Sequence, residues 1–488
     1  MFTCKKSKTL QFITNTSHSI HSQITLHPRI SLFIFSLFLV QIIILCSPSP
    51  PPPPISLPPP VDDKCKEGQV YVYELPTMFN SDLVGTCEDL DPWHWQCGVA
   101  TNGGYGMTAT ELAGIIPESL VQVWHRTNQF SSEIIFHNRI LKHKCRTMEP
   151  EAATAFYIPF YAGLAVGKYL FTDSTNEERD FHAVQLIKWV QNQSYWRRSN
   201  GSDHVLVLGR ITWDFRRLTD PEKRWGSTFL NMPEMQTVTR LTIERAPGDY
   251  QDVGIPYPTG FHPRSITDIQ AWQSFVRTYN RTSLFTFVGA AREDVGDDIR
   301  GLLLQTCRNE SVSGTCRVVD CAVTPCANGS SAIMESLLGS EFCLQPRGDS
   351  FTRRSVFDCM IAGAVPVLFW TRTMYDQYEW YLPEEPESYS VFIDHDDVSA
   401  GKKSIKGVLE KYSKEAVKEM RERVIEIIPK IVYSDEGSNN GGMKDAFEVA
   451  VDGVMRRFKT ERDQRRQESD VIDLFLRPKI RTSFTSVW

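Results

Sequence analysis

Short apolar runs separated by helical patterns make up most of the chain. Such runs, rich in β-branched and aromatic residues, predict strands buried on both faces, as in parallel sheets. They lie at residues 69–74, 155–159, 204–208, 284–288, 341–344, 365–369 and 389–393. Apolar residues three and four positions apart predict helices over residues 109–129, 175–191, 268–278 and 404–428. The alternation of the two patterns indicates an α/β protein.

A segment rich in proline and turn residues, 256–267, divides this α/β body. We therefore predict an N-terminal domain at 65–262, a C-terminal domain at 263–458 and a loosely attached, charged tail at 459–488. Two α/β domains bind ligands between them, at the carboxyl ends of their strands. The chain has no G-x-G-x-x-G after a strand, no P-loop lysine signature and no G-x-S-x-G. The sequence therefore gives no support for a dinucleotide-binding protein, a P-loop protein or a serine hydrolase.

The start of the chain has a different pattern. Residues 30–46 read ISLFIFSLFLVQIIILC, follow several basic residues and precede a proline-rich stretch at 47–64. This order predicts a cytosolic tail at 1–29, a single membrane anchor at 30–46 and a stiff stem. A cleaved signal peptide and an organelle transit peptide are the alternatives.

Composition and charge narrow the class of protein further. Lysine plus arginine number 53 and aspartate plus glutamate 59, a net charge of −6 over 488 residues. This balance argues against a nucleic-acid-binding protein. Ten of the twelve cysteines follow the stem, and their even number suits disulfides in an oxidising compartment. Five N-x-S/T sequons also follow it and predict glycans at Asn192, Asn200, Asn280, Asn309 and Asn328.

Residues 340–370 form the most informative segment, SEFCLQPRGDSFTRRSVFDCMIAGAVPVLFW. The pattern predicts a strand, a polar loop, a helix capped by Ser350 or Thr352 and ended by Gly363, and a second strand. The N-terminus of such a helix attracts anions.

Arginines crowd this predicted helix start. Arg347, Arg353 and Arg354 oppose the helix dipole there, which costs stability unless an anion binds. A diphosphate would resolve the conflict, with Asp358 free to hold ribose hydroxyls. The alternative is that Asp349 and Asp358 neutralise the arginines as surface ion pairs.

Five motifs together carry a resemblance to a known family: QVYVYELP, AFYIPFYAG, DHVLVLGRITWDFRR, FTFVGAAR and RGDSFTRRSVFDCMIAGAVPV. Over residues 65–458 the chain resembles the plant exostosin-like glycosyltransferases, family 47, most closely their xyloglucan galactosyltransferase branch. The resemblance implies a GT-B fold, in which two Rossmann-like domains face a cleft. It also implies a sugar-nucleotide donor, inversion at the anomeric carbon, no cofactor and no essential metal.

The family also implies a place in the cell and a reaction. The protein would be a type II Golgi membrane protein, with its catalytic body in the lumen. It would transfer galactose from UDP-galactose to xylosyl side chains of xyloglucan, alone or beside other cell-wall glycosyltransferases. The alternatives are UDP-galacturonic acid or UDP-arabinose as donor, a non-catalytic partner of a Golgi synthase complex, and a secreted glycan-binding protein.

Candidate site residues follow from the strand ends and the arginine-rich loop. The predicted donor-binding residues are Arg292, Arg347, Gly348, Asp349, Ser350, Thr352, Arg353, Arg354 and Asp358. Acceptor attack needs a base, for which we predict Asp214 first, then Glu74 and His125. An ion pair with Arg210, Arg216 or Arg217 is the alternative role for Asp214.

Acceptor-binding and metal-binding candidates complete the set. Arg210 and the aromatic group Trp93, His94 and Trp95 are predicted to bind the acceptor sugar, with a disulfide-pinned core cluster as the alternative for the aromatic group. The run Asp394-His395-Asp396 follows a strand and, like Asp89-Leu90-Asp91, is a rival metal site. Because the arginines already supply positive charge, we expect no metal.

Overall fold

The computed structural model describes residues 65–90, 97–98, 100–218, 225–292, 298–324, 326, 331–435 and 443–476. The chain divides into two compact units, residues 1–61 and 62–488, and all described residues belong to the second. Among them, none of the helices combines the length and the apolar character that crossing a membrane requires. The predicted anchor at 30–46 lies outside the described residues.

The N-terminal half of the described body contains a sheet of parallel strands. Its strands are β1 (Val70–Val72), β2 (Arg146–Thr147), β3 (Ala155–Tyr157), β4 (His204–Leu208), β5 (Thr239–Thr242) and β6 (Asp252–Gly254). They pair in the order β2-β1-β3-β4-β5-β6. Its helices are α1 (Ser81–Gly85), α2 (Ser132–Ile140), α3 (Ala162–Gly167), α4 (Asn176–Gln191) and α5 (Ser194–Ser199).

The C-terminal half contains a second parallel sheet. Its strands are β7 (Ser283–Gly289), β8 (Cys316–Asp320), β9 (Ser340–Gln345), β10 (Val365–Leu368) and β11 (Val391–Phe392), in the order β11-β10-β9-β7-β8. Its helices are α6 (Ile266–Thr278), α7 (Arg300–Ser311), α8 (Ser331–Leu338), α9 (Arg354–Ile361), α10 (His395–Ser399), α11 (Ile405–Leu409), α12 (Lys414–Ile431) and α13 (Ala446–Leu476).

The α/β class with parallel sheets is confirmed, and each predicted strand run contains a strand. Strand β4 shows why continuous apolar runs form such strands. Val205 and Val207 face the core that joins the two sheets, whereas Leu206 and Leu208 face a second core on the opposite side. Because successive side chains point to opposite faces, a strand buried on both faces must be apolar throughout.

Three helix predictions were wrong in detail. Residues 109–129 form short 3₁₀ turns rather than one helix, and the chain reverses at Gly114, whose φ is +82°. The stripe at 404–428 is two helices, α11 and α12, and Ser413 caps the second. Helix α9 begins after Arg353, which is its N-cap without a side-chain cap bond, so neither Ser350 nor Thr352 caps it.

The segment that marked the predicted domain boundary is buried. Phe261 and His262 are fully enclosed. His262 Nδ1 lies 2.6 Å from the carbonyl oxygen of Tyr433, and its Nε2 lies 2.7 Å from Thr127 Oγ1. A single apolar core runs past this segment from the first sheet to helices α9, α12 and α13, so the two halves share one interior. The chain beyond 458 continues helix α13.

All ten cysteines beyond the stem form disulfides, as their even number predicts. The pairs are Cys65–Cys145, Cys87–Cys97, Cys307–Cys316, Cys321–Cys326 and Cys343–Cys359. Four of the predicted glycan acceptors are exposed, namely Asn192, Asn200, Asn280 and Asn309. Asn328 lies outside the described residues.

Candidate active site

The carboxyl ends of the two sheets meet at the loop that follows β9. This loop, residues 346–353, connects β9 to helix α9. At Gly348 an added Cβ would lie 2.0 Å from the carbonyl oxygen of Thr352, so only glycine fits the curl of the loop. The curl gathers the arginines of the loop at the start of α9.

Four arginines converge on this loop from three elements. Arg353 Nη2 donates to the carbonyl oxygen of Val288, at the end of β7, over 3.1 Å. Arg300, the first residue of α7, donates from Nη2 to the carbonyl oxygen of Arg347 over 2.9 Å. Arg292 binds two carboxylates, Asp298 at 2.8 Å and Asp349 at 2.9 Å.

Within the part of the chain that the structure describes, this arginine cluster (Arg292, Arg300, Arg347 and Arg353) carries more positive than negative charge. Four guanidinium groups there face two carboxylates, those of Asp298 and Asp349. Each of the four arginines also has one buried nitrogen without a hydrogen-bond partner among the described residues. Burial, and then the charges of Arg300 and Arg292, lower the pKa of Arg353 to about 9. A bound anion would relieve both the unpaired donors and the repulsion.

Arg354 differs from its neighbour. Its Nε lies 3.1 Å from an oxygen of Asp358, one helical turn on. Its Nη1 donates to the carbonyl oxygen of Thr127, in the N-terminal half. Burial raises the pKa of Asp358, and Arg354 opposes that rise. This pair therefore matches the ion-pair alternative for Arg354 and Asp358, whereas the arginine cluster has fewer carboxylates than arginines among the described residues.

A glutamate that sequence reasoning missed completes the loop. Glu244 follows β5 and is buried, and its Oε2 accepts hydrogen bonds from the amide groups of Phe351 and Thr352 at 3.0 and 2.7 Å. The hydroxyl of Thr352 donates to the same oxygen at 2.7 Å and lies 2.9 Å from the hydroxyl of Tyr257. Arg300 was missed as well, although an arginine at a helix start after a strand was a visible signal.

Asp214 is fully engaged with neighbouring side chains. Its Oδ2 accepts from Arg210 Nε at 2.8 Å, and its Oδ1 accepts from Trp225 Nε1 at 2.9 Å. The carboxylate is buried. Both oxygens of this carboxylate are therefore engaged by side chains that follow β4.

The other two candidates for the base have contrasting surroundings. Glu74 lies just beyond β1 and is exposed. His125 is buried, and its Nε2 lies 3.2 Å from the side-chain nitrogen of Asn102. Burial lowers the pKa of His125, which keeps the ring neutral. Its packing beside the rings of Tyr105 and His262 suits a structural residue.

Besides Asp214, a second buried carboxylate, Glu133, lies at the carboxyl edge of the first sheet. Glu133 is 1% exposed, and its Oε1 accepts from the amide groups of Gly163 and Gly209 at 2.7 and 2.8 Å. Its Oε2 has no hydrogen-bond partner within the described part of the chain. Burial raises the pKa of Glu133 to about 8, against the backbone hydrogen bonds and Arg210.

Exposed aromatic rings surround the Arg210–Asp214 pair. Trp213 is 64% exposed, and Trp225 packs edge-on against Phe171 with ring centroids 5.3 Å apart. Trp225 is 37% exposed, so both indole rings are accessible beside this ion pair. The aromatic group predicted to bind sugar, Trp93, His94 and Trp95, lies outside the described residues.

The rival metal site forms a helix cap. An oxygen of Asp394 accepts from the amide group of Asp396 at 2.9 Å, at the start of α10. The ring of His395 stacks on Trp370 with centroids 3.9 Å apart. Although the ligand atoms of Asp394, His395 and Asp396 lie within 4.8 Å of one another, capping and stacking account for their positions.

With this geometry in place, comparison with known proteins identifies the class. The model of the exostosin GT47 domain matches residues 64–409. The chain belongs to this family and is a glycosyltransferase.

Several curated relatives come from Arabidopsis thaliana. The chain is 56% identical over 400 residues to xyloglucan galactosyltransferase XLT2, covering 82% of this chain and 77% of the relative. It is 40% identical to xyloglucan galactosyltransferase MUR3, covering 80% of this chain and 62% of that one. It is also 40% identical to xyloglucan-specific galacturonosyltransferase 1, covering 80% and 57%.

Solved structures are more distant. Spinosyn rhamnosyltransferase SpnG aligns with 80% of this chain and 100% of its own, at 11% identity and a TM-score of 0.31. Similarity this low carries no argument about the fold.

Proposed function

We propose that this protein transfers galactose from UDP-galactose to xylosyl side chains of xyloglucan. The observation that carries the proposal is the arginine cluster, whose unpaired buried donors and surplus positive charge, counted over the described residues, suit a diphosphate. The names of XLT2 and MUR3 support galactose and xyloglucan as the substrates. The two facing parallel sheets suit a GT-B arrangement.

In the proposed reaction an acceptor hydroxyl attacks the anomeric carbon of the donor sugar. The bond from that carbon to the β-phosphate oxygen breaks, UDP leaves, and the configuration inverts. Negative charge develops on the leaving diphosphate, where the arginine cluster supplies fixed positive charge.

The proton of the acceptor hydroxyl passes to a carboxylate of the first sheet. A base needs a free oxygen within hydrogen-bond reach of the hydroxyl. Asp214 uses both of its oxygens on Arg210 and Trp225, whereas Glu74 is exposed beyond β1. We therefore place Glu74 first as the base and test Asp214 beside it.

The acceptor polysaccharide is proposed to lie across the exposed rings of Trp213 and Trp225. Indole faces pack against the apolar C–H faces of sugar rings, and the hydrogen bond from Trp225 to Asp214 fixes one of them. Arg210, held by the same carboxylate, would lie beside the acceptor hydroxyls.

The full-length protein, incubated with xyloglucan and a panel of UDP-sugars, tests this function. A mass increase of one hexose per transfer with UDP-galactose alone is the expected result. Transfer from UDP-galacturonic acid instead would match the galacturonosyltransferase relative and overturn the donor assignment. UDP binding without turnover would favour the non-catalytic partner.

The proposed setting is the Golgi membrane, with residues 30–46 as an uncleaved anchor and the body in the lumen. The disulfides and the exposed sequons support a secretory compartment. Sequencing the mature N-terminus checks the anchor. A start between residues 48 and 64 would show that the apolar run had been removed as a signal peptide.

A further inference from the structure

Glu244 belongs to the N-terminal half, yet its carboxylate is buried in the loop that carries the donor arginines. It is 2% exposed. Its Oε2 accepts three hydrogen bonds, from the amide groups of Phe351 and Thr352 and from the Thr352 hydroxyl. Two consecutive residues of the loop are thus tied to one side chain from the other sheet.

Glu244 is itself held firmly. Its carbonyl oxygen accepts from the hydroxyl of Thr242 at 3.0 Å. The next amide group, that of Arg245, donates to the side chain of Gln377 at 2.8 Å. The Tyr257 hydroxyl, which follows β6, meets Thr352 Oγ1 at 2.9 Å. The loop therefore rests on a rigid edge formed by β5 and β6.

We propose that Glu244 is a positioning residue for donor binding, an inference that rests on the proposed function. Thr352 directly precedes Arg353 and Arg354, and α9 begins without a side-chain cap. The bonds to Glu244 therefore fix where the helix starts and where both arginines point. Because Glu244 comes from the acceptor-side sheet, the donor site is complete only when the two halves are packed together.

A purely structural carboxylate is the alternative, and the molecule offers a matched control. Asp445 is fully buried, pairs with Arg139 of α2 at 2.6 Å and accepts from the amide group of Ser434 at 2.8 Å. It also ties the two halves together, but it makes no contact with loop 346–353. Loss of Asp445 should therefore reduce stability without altering the donor site.

The experiment compares Glu244→Ala, Glu244→Gln and Asp445→Asn in the full-length protein, by UDP titration and by steady-state kinetics. Glu244→Ala should weaken UDP binding and raise the donor KM by about 10–100-fold, because misplaced ligating groups lose affinity steeply. Glu244→Gln keeps an accepting oxygen and should stay within about 3-fold of wild type. Asp445→Asn should lower the Tm and leave UDP affinity unchanged.

Hydrogen exchange gives a readout that needs no ligand. The amide groups of Phe351 and Thr352 should be protected in wild type and in Glu244→Gln, and should exchange rapidly in Glu244→Ala. If Glu244→Ala does not fold, Thr352→Val removes one of the three bonds and should raise the donor KM by about 3-fold.

Wild-type UDP affinity in a folded Glu244→Ala would overturn the inference, and so would an equal loss of UDP affinity in Asp445→Asn. Fast exchange of both amide groups in wild type would also overturn it. A wild-type protein that binds UDP but transfers no galactose would overturn the proposed function, while the exchange and titration results would still decide the role of Glu244.

Discussion

The carboxyl edges of the two sheets differ in how their charges are balanced. At the first sheet, Arg210 pairs with Asp214, Arg217 with Asp180, and Arg216 with Asp249 and Asp252. Each of these three arginines, which follow β4, has a carboxylate. At the second sheet, the described residues of the arginine cluster bring together four guanidinium groups and two carboxylates.

This difference fits the two substrates of the proposed reaction. A neutral polysaccharide needs aromatic faces and fixed hydrogen-bonding groups rather than net charge. A nucleotide sugar carries a diphosphate, which needs positive charge that the protein has not already neutralised. Counting arginines in the sequence cannot separate the two edges, because both are rich in arginine and only the pairing distinguishes them.

The largest expected effect is the loss of turnover when the proposed base at the carboxyl edge of the first sheet is removed. Glu74→Gln keeps the shape of the side chain but removes the proton acceptor, so kcat should fall by about 10²–10⁴-fold. UDP affinity should hardly change, because the base acts on the acceptor and not on the nucleotide. Asp214→Asn is the companion variant. If its kcat falls further than that of Glu74→Gln, the base belongs at Asp214.

Two neighbouring arginines test the proposed donor site at the second sheet, because Arg354 has a carboxylate partner whereas Arg353 belongs to the arginine cluster. Arg353→Ala should weaken UDP binding by about 10–150-fold, since hydrogen bonds between charged groups are each worth about 1.5–3 kcal/mol. Arg354→Ala should lose less affinity and more stability, because Arg354 already binds Asp358 and the Thr127 carbonyl group. Calorimetric titration with UDP and thermal unfolding separate the two outcomes. Equal affinity losses would contradict the assigned difference in pairing.

A smaller effect is expected at the exposed rings. Trp213→Ala should raise the KM for xyloglucan by about 2–10-fold, because one aromatic stacking contact is worth about 0.5–1.5 kcal/mol. The donor KM should not change. Phe181→Ala is a control, since Phe181 is an exposed aromatic residue on α4. A similar change in both variants would mean that Trp213 has no special role.

Glu133, at the carboxyl edge of the first sheet, should make the stability of the protein depend on pH. Because burial raises its pKa from 4.5 to about 8, the folded protein keeps a proton there that the unfolded chain releases. Stability should therefore fall as the pH rises from about 5 to about 8. Glu133→Gln cannot ionise, so its Tm relative to wild type should rise across that range. A constant Tm difference would show that Glu133 is ionised in the folded protein.

The smallest expected effect is that of chelation. If the arginine cluster supplies the positive charge, EDTA should leave turnover unchanged. Asp394→Ala should cost only the cap of α10, about 1 kcal/mol of stability, with no loss of activity. Loss of activity with EDTA and its recovery with Mn²⁺ would restore the aspartates after β11 as a metal site.

Much of the fold was predictable because strands buried on both faces must be apolar, as β4 and β7 are. Strands β5 and β8 were missed because each carries an arginine within a short run, and β6 because its three residues include an aspartate. Arg240 of β5 is buried only because Asp249 and Asp252 bind it. Such compensation arises between strands and leaves no periodic pattern in the sequence.

The sequence by itself determined the α/β class, the cysteine count, the family and the arginine-rich loop after β9. These depend on local patterns, such as apolar runs, glycine in a tight curl and charges near a helix start. Tertiary structure alone decided which arginines are neutralised and which are not. It also brought Glu244, which follows β5, to Phe351 and Thr352, more than a hundred positions along the chain. Hydrogen bonds and ion pairs depend on distances in space, and those distances are set only when the two sheets pack against a common core.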